Sequence, residues 1–168
     1  MGREKVKGDP YLPAKPGRTD WGTPDKYYQP LHREFKFTLD AAASKDNTKC
    51  EKFYDEEADG TKQPWKGHTV FWNPPYTAEL LKAFTRKAIL EARENGVTSV
   101  GFLPAKTDQP WWHWIWACYL GQSLAKVEIR WIKGRVKYVG AEHGATFPTV
   151  VVIVHGKKKK KKRRKKCG

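Results

Sequence analysis

The sequence predicts an α/β fold built on a mostly parallel sheet, and three observations carry that expectation. Apolar runs at residues 69–72 and 97–103 have the length and composition of buried strands. Between them, residues 78–94 carry apolar side chains at helical spacing, so the order is strand, helix, strand. That is a βαβ unit, with parallel strands and a right-handed crossover. The first strand stops abruptly at Asn73-Pro74-Pro75, because two adjacent prolines cannot donate to a ladder and each fixes its own φ. In open α/β sheets, ligands bind beyond that C-terminal strand edge.

At 168 residues the chain is expected to form one domain, and 39% hydrophobic with 13% aromatic residues suffices for a core. The formal net charge is +15. Of the 33 Lys and Arg, ten form the unbroken run 157–166, leaving 23 basic residues against 18 acidic ones elsewhere. The charge is therefore concentrated in a tail. Residues 1–18 read as a flexible arm, 19–155 as the folded domain and 156–168 as a disordered polybasic tail. Cys50, Cys118 and Cys167 fit neither a disulfide framework nor a zinc site. No apolar leader follows the charged residues 2–7, and the run at 149–154 is too short to cross a bilayer. The expectation is a soluble protein in the cytoplasm of a bacterium or phage-infected host, without metal or membrane partner, as a monomer or weak dimer.

The elements follow in order. Thr23 is placed to cap a helix that Pro24 opens, with Tyr27, Tyr28, Leu31 and Phe35 as its apolar face. Residues 37–40 read as a short strand ending in Asp40. The small residues Ala41-Ala42-Ala43-Ser44 follow, where a backbone can approach a ligand. Residues 52–54 read as another strand, ending in Asp55, Glu56 and Glu57, and Asp59-Gly60 as a turn. Asn95-Gly96 ends the central helix and Pro104 the strand after it. Asp108-Gln109-Pro110 opens a helix over 111–120. Its four tryptophans in six positions cannot all face the core, so some are expected to be partly exposed near the site. Residues 127–132 and 135–139 alternate about Lys133-Gly134, and 150–154 form the last strand. The short Gly140–Gly144 connection suits an antiparallel hairpin between the final two strands.

The ledge after residue 72 suits one chemistry. The Asn73 side-chain oxygen and the Pro74 carbonyl can each accept one N–H bond from an exocyclic amino group. Holding both hydrogens drives the nitrogen towards sp³ and aims its lone pair out of the ring plane. Tyr76 can stack on the ring. Methyl transfer to such a nitrogen needs positioning and electrostatics, not a nucleophile or a metal. Taken alone, the tetrapeptide is equally a strand followed by a Pro-Pro turn. Two strands ending in acids just before it suggest a nucleoside-bearing cofactor, although any one acid could be a solvated loop charge. Asp40, flanked by Leu39 and Ala41, is the best of the set. His113 is tempting as a base, but direct transfer does not need it.

Taken together, Trp21-Gly22-Thr23-Pro24, Phe37-Thr38-Leu39-Asp40-Ala41-Ala42-Ala43-Ser44, Asn47, Cys50, Trp65, Asn73-Pro74-Pro75-Tyr76-Thr77, Phe102-Leu103-Pro104-Ala105 and Gly134-Arg135 resemble the phage-type Dam-like DNA adenine-N6 methyltransferases. The resemblance covers roughly residues 20–154. It implies a class I methyltransferase fold using S-adenosylmethionine (AdoMet): a mostly parallel seven-stranded sheet, helices on both faces and a C-terminal antiparallel hairpin. It implies cofactor contacts at Trp21, Thr23 and Pro24, at Asp40, Ala41 and Ala42, at Asp55 or Glu56 for the ribose, at Asp59 for the adenine amino group, and at Asn73. Asn73, Pro74, Pro75 and Tyr76 would form the catalytic motif. Ala41-Ala42-Ala43 replaces the usual Gly-rich turn.

The expected reaction is methyl transfer to N6 of an adenine extruded from double-stranded DNA or presented in a single strand. No inserted recognition region is visible, so base contacts are expected from Lys106, Thr107, Trp111, Trp112, His113, Arg135, the Gly140–Gly144 loop or the N-terminal arm. The expected sequence specificity is short or relaxed. Lys157, Lys158, Arg163 and Arg164 of the tail would anchor DNA by counterion release, with a merely solvated tail as the alternative. Two rivals stay open. One is transfer to another amino group, of an RNA base, cytosine N4 or a glutamine side chain. The other is a non-catalytic nucleic-acid-binding protein on the same fold.

Overall fold

The computed structural model describes residues 21–121 and 125–157. The elements run α1 (Asp25–Phe35), β1 (Leu39–Asp40), β2 (Val70–Trp72), α2 (Ala78–Glu94), β3 (Ser99–Pro104), α3 (Pro110–Tyr119), β4 (Lys126–Trp131) and β5 (Thr149–His155). Among the described residues they form one five-stranded mixed sheet in the order β1-β2-β3-β5-β4. β1, β2 and β3 are parallel, as the βαβ reading requires. β5 runs antiparallel to both β3 and β4.

β2, β3 and β5 are covered on both sides, so they read as near-continuous apolar runs, whereas the edge strand β4 is only partly buried. Successive side chains enter opposite clusters. Val70, Trp72, Val150, Val152 and Val154 pack with α2 and α3, whereas Phe71, Val100, Phe102, Val151 and Ile153 pack with Tyr28 and Leu31 of α1. Trp72 spans the space above β3 only because residue 101 is glycine. A Cβ there would stand 2.6 Å from the Trp72 ring.

Five expectations are corrected. Among the described residues the sheet has five strands, not seven. Its C-terminal part is not a hairpin, because β5 lies between β3 and β4 and residues 132–148 separate β4 from β5. Residues 135–139 do not form a strand. Val136 and Tyr138 are buried, but the only bridge in that stretch joins Val139 to Gly22. The strand expected at 52–54 contracts to one parallel bridge, Phe53 to Asp40, since the acids at 55–57 turn away at once. Thr23 does not cap α1: Pro24 occupies the N-cap with no side-chain bond, and the Thr23 hydroxyl is taken by a residue of the ledge.

α2 has the predicted bounds. Thr77 Oγ1 accepts from the Leu80 N–H at its start, and Asn95 and the positive φ of Gly96 close it. The arm at 1–18 and the tail residues Lys158, Arg163 and Arg164 lie outside the described residues. Among those described, no helix is long and apolar enough to cross a membrane.

Candidate active site

A cavity of about 630 Å³ opens at the C-terminal edge of β1 and β2, within the size range of small-molecule sites. Its wall brings together Trp21, Thr23, Asp40, Ala41, Ala42, Asp55, Glu56, Asp59 and Asn73, nine of the ten residues expected to contact a cofactor. Pro24 is absent from that wall. Its position at the start of α1 turns it into a helix cap, with its carbonyl accepting from the Tyr27 and Tyr28 N–H groups at 3.0 and 3.1 Å.

Asp40 ends β1, 3% exposed. Its carboxylate accepts from the Lys49 N–H at 3.1 Å and, more weakly, from the Ala42 N–H at 3.4 Å, which folds the 41–49 loop around it. Burial nevertheless outweighs those two bonds and lifts its pKa to about 6. A buried carboxylate in this state favours a positively charged partner in the cavity.

The acids further on are held differently. Asp55 accepts from the Ala58 N–H at 2.9 Å and so closes its own turn. Glu56 is exposed at the rim. Asp59, at φ 54°, is engaged by Thr61 Oγ1 at 2.6 Å and Lys62 Nζ at 2.8 Å. Lys62 and then Thr61 hold its carboxyl below the usual range.

The ledge is fixed at both ends of one amide. Asn73 Nδ2 donates to the Trp21 carbonyl at 2.9 Å and to Thr23 Oγ1 at 3.0 Å. A carbonyl only accepts, so the nitrogen must face Trp21 and the oxygen the other way. Asn73 Oδ1 lies 2.8 Å from the Tyr76 hydroxyl. That hydroxyl also stands 3.0 Å from the Phe102 carbonyl and 2.8 Å from the Tyr138 hydroxyl, which in turn is 3.2 Å from Thr149 Oγ1. Tyr76 has one hydrogen to give, so the two acceptor-only oxygens, Asn73 Oδ1 and Phe102 O, share it. Burial, then Tyr138, pushes the Tyr76 phenol well above its ordinary pKa, so it stays protonated. In this arrangement the Tyr76 hydroxyl occupies the oxygen that the sequence reading assigned to an amino group. Pro75 lines the cavity and Pro74 is buried behind it.

The residues expected to meet DNA divide. Thr107, His113 and Arg135 are exposed and Lys106 half-exposed. Trp111 and Trp112 are not available: both are core residues, 2% and 3% exposed, packed edge to face at 5.6 Å. Of the tryptophans in that helix, the exposed ones are Trp114 and Trp116, and neither lines the cavity. Lys157 is exposed, but it follows β5. The end of β5 pairs with the start of β3, so Lys157 lies at the sheet edge opposite Asn73. The six residues of β3 put roughly 20 Å between those edges.

Sequence reasoning missed several wall residues, among them Lys49, Leu80 and Phe84, and it missed Tyr138 altogether. Leu80 and Phe84 read only as helix core. Tyr138 carries no signal in sequence, because its partner Tyr76 is 62 positions away.

The family model described as DNA N-6-adenine-methyltransferase (Dam) matches residues 13–162. A DNA N-6-adenine-methyltransferase of Escherichia phage T1 is 38% identical over 93 residues, which cover 54% of this chain and 38% of that protein. The similarity thus spans well under half the length of that relative.

Proposed function

This chain belongs to the DNA N-6-adenine-methyltransferase (Dam) family, and from that premise we propose that it transfers a methyl group from AdoMet to the N6 amino group of adenine in DNA. One observation carries the proposal: Asn73, with its amide oxygen turned away from Trp21, and the buried Asp40 carboxylate border the same cavity. An acceptor for an amino group and an anion for a cation thus stand at one strand edge.

The residues fit AdoMet. Its part is to supply an activated methyl on a positive sulfonium. Asp40, buried and short of positive charge, would hold its ammonium group, beside the Ala41-Ala42 backbone. Asp55 or Glu56 would accept from ribose hydroxyls, and Asp59, in part spent on Thr61 and Lys62, would accept from the adenine amino group at the far side. Trp21 and Phe71 supply apolar wall, which suits a step in which positive charge is lost from the sulfonium.

The substrate base would enter beside Tyr76. N6 would bond with Asn73 Oδ1 beside the Tyr76 hydroxyl, or after that hydroxyl gives its one hydrogen to the Phe102 carbonyl, and the Tyr76 ring would stack on the purine. The Pro74 carbonyl would take the second amino hydrogen. Lys106, Thr107, His113 and Arg135 are candidates for contact with the surrounding strand. The methyl–nitrogen bond would form as the methyl–sulfur bond breaks, leaving a neutral thioether, and the surplus N6 proton would pass afterwards to solvent water.

The test is incubation with AdoMet and unmethylated DNA, followed by digestion and nucleoside mass spectrometry. The expected product is N6-methyldeoxyadenosine. N4-methyldeoxycytidine instead, or label transferred only to RNA or protein, would overturn the reading.

A further inference from the structure

We propose that Thr23 is a positioning residue for Asn73, holding the amide in the direction that the Trp21 carbonyl dictates rather than holding the cofactor. The inference rests on the reading of Asn73 as the group that grips the amino nitrogen.

A free asparagine amide can present oxygen or nitrogen to a cavity, and the wrong face would offer donors to an amino group that also donates. The Trp21 carbonyl, which only accepts, removes that freedom here, and Thr23 Oγ1 anchors the second hydrogen. The Trp21 carbonyl and Thr23 Oγ1 take one Nδ2 hydrogen each, at 2.9 and 3.0 Å, leaving only Oδ1 to face the substrate side. Losing Thr23 Oγ1 would leave a half-buried N–H without its partner and loosen the amide, which the Trp21 carbonyl alone would then hold. Thr23 is itself 2% exposed, so water cannot readily replace it.

The segment that carries both acceptors is built to stay put. The Val139 N–H donates to the Gly22 carbonyl at 2.9 Å, between the two, forming an isolated bridge. A Cβ on Gly22 would stand 3.2 Å from Val139 Cβ, so the approach suits glycine. The Trp21 ring lies 6.5 Å from Tyr138, whose hydroxyl meets that of Tyr76. One short stretch, residues 21–23, therefore fixes the nitrogen side of the Asn73 amide, while residues 138 and 139 reach both this stretch and the oxygen side.

A role in holding AdoMet and a role in aiming Asn73 differ in what they alter. The test compares wild type, Thr23→Val and Thr23→Ser in methyl transfer to DNA, with AdoMet binding measured separately by calorimetry. Valine keeps the shape and removes the acceptor; serine restores it. The expected result is a kcat roughly tenfold lower in Thr23→Val, the loss of one partner of a buried donor. AdoMet affinity changes less than about twofold and Thr23→Ser recovers most of kcat, because the deleted bond is to Asn73 and not to the cofactor. A Thr23→Val enzyme with unchanged kcat, or with weakened AdoMet binding as its sole defect, would overturn the proposal.

A second measurement uses the wild-type protein and needs no turnover. The Asn73 side-chain amide resonances, identified by their loss in Asn73→Ala, should show both hydrogens protected from exchange with solvent. Rapid exchange, as for a surface asparagine, would overturn the lock. If wild type transfers no methyl to adenine while the amide is protected, the activity reading fails and the lock stands.

Discussion

The Tyr76 hydroxyl lies 2.8 Å from Asn73 Oδ1, so the acceptor that an amino group would need is already engaged by a residue of the same rigid ledge. Substrate and tyrosine would share one oxygen, each weakening the other's bond. Tyr76→Phe removes the hydroxyl and keeps the ring. Its KM for DNA is expected to fall by roughly 2- to 10-fold, the scale of one neutral hydrogen bond. Tyr76→Ala removes the ring as well, and binding of DNA carrying 2-aminopurine at the target should weaken by roughly 5- to 100-fold as the stacking surface disappears. Steady-state kinetics reads the first and fluorescence titration the second. Equal affinity of wild type and Tyr76→Ala would dismiss the stacking role.

Asp40 should make both stability and ligand binding depend on pH, in opposite senses. Burial raises its folded-state pKa from 3.8 to about 6, so the folded protein binds this proton more tightly than the unfolded chain does. Its contribution to stability is therefore fully present below about pH 4 and is lost as pH rises through about 6, an effect on the order of 3 kcal/mol at most. A cationic ligand prefers the ionised carboxylate. AdoMet affinity should then rise between about pH 5 and 7 with release of a proton, and Asp40→Asn should weaken binding and flatten the profile. Calorimetric titration in buffers of different ionisation enthalpy measures the proton; none released by wild type would refute the pairing.

Gly101 is where the sheet makes room for Trp72. Gly101→Ala puts a methyl against the Trp72 ring and should destabilise the fold by about 1–3 kcal/mol, as overpacking does. Chemical denaturation checks this, and an unchanged midpoint would contradict the packing described.

The position of Lys157 at the edge opposite Asn73 bears on the basic tail. If the tail anchors DNA there, truncation after Lys157 should flatten the dependence of log K on log salt by about 0.9 for each phosphate that the tail neutralises, and leave AdoMet affinity alone. Filter binding over a salt series measures the slope. An unchanged slope would make the tail a bystander.

What can be read from the chain in advance follows the range of the interactions. The bounds of α2 are legible because amphipathic spacing, Thr77 and Asn95-Gly96 all act locally. The βαβ unit follows from the same signals. The alternation at 135–139 is real, with Val136 and Tyr138 buried and Arg135 and Lys137 exposed, yet it reports packing on the α1 side of the sheet rather than a ladder. The tryptophan helix misleads because an exposed aromatic and a core aromatic look alike in sequence; Trp111 and Trp112 go inside, Trp114 and Trp116 outside. Thr23 looks like a cap because the residue that takes its hydroxyl is 50 positions away. The candidate catalytic ledge is visible at once, since its chemistry is contiguous. Its supports, Thr23 and Tyr138, meet it only through folding.

The most direct measurement is nucleoside mass spectrometry of DNA incubated with AdoMet and either wild type or Asn73→Ala, with AdoMet affinity of both determined alongside. The account predicts N6-methyldeoxyadenosine from wild type, its loss by at least about a hundredfold in Asn73→Ala, as for removal of a transition-state hydrogen-bonding group, and AdoMet affinity that stays within a few-fold. Undiminished adenine methylation by Asn73→Ala would contradict it.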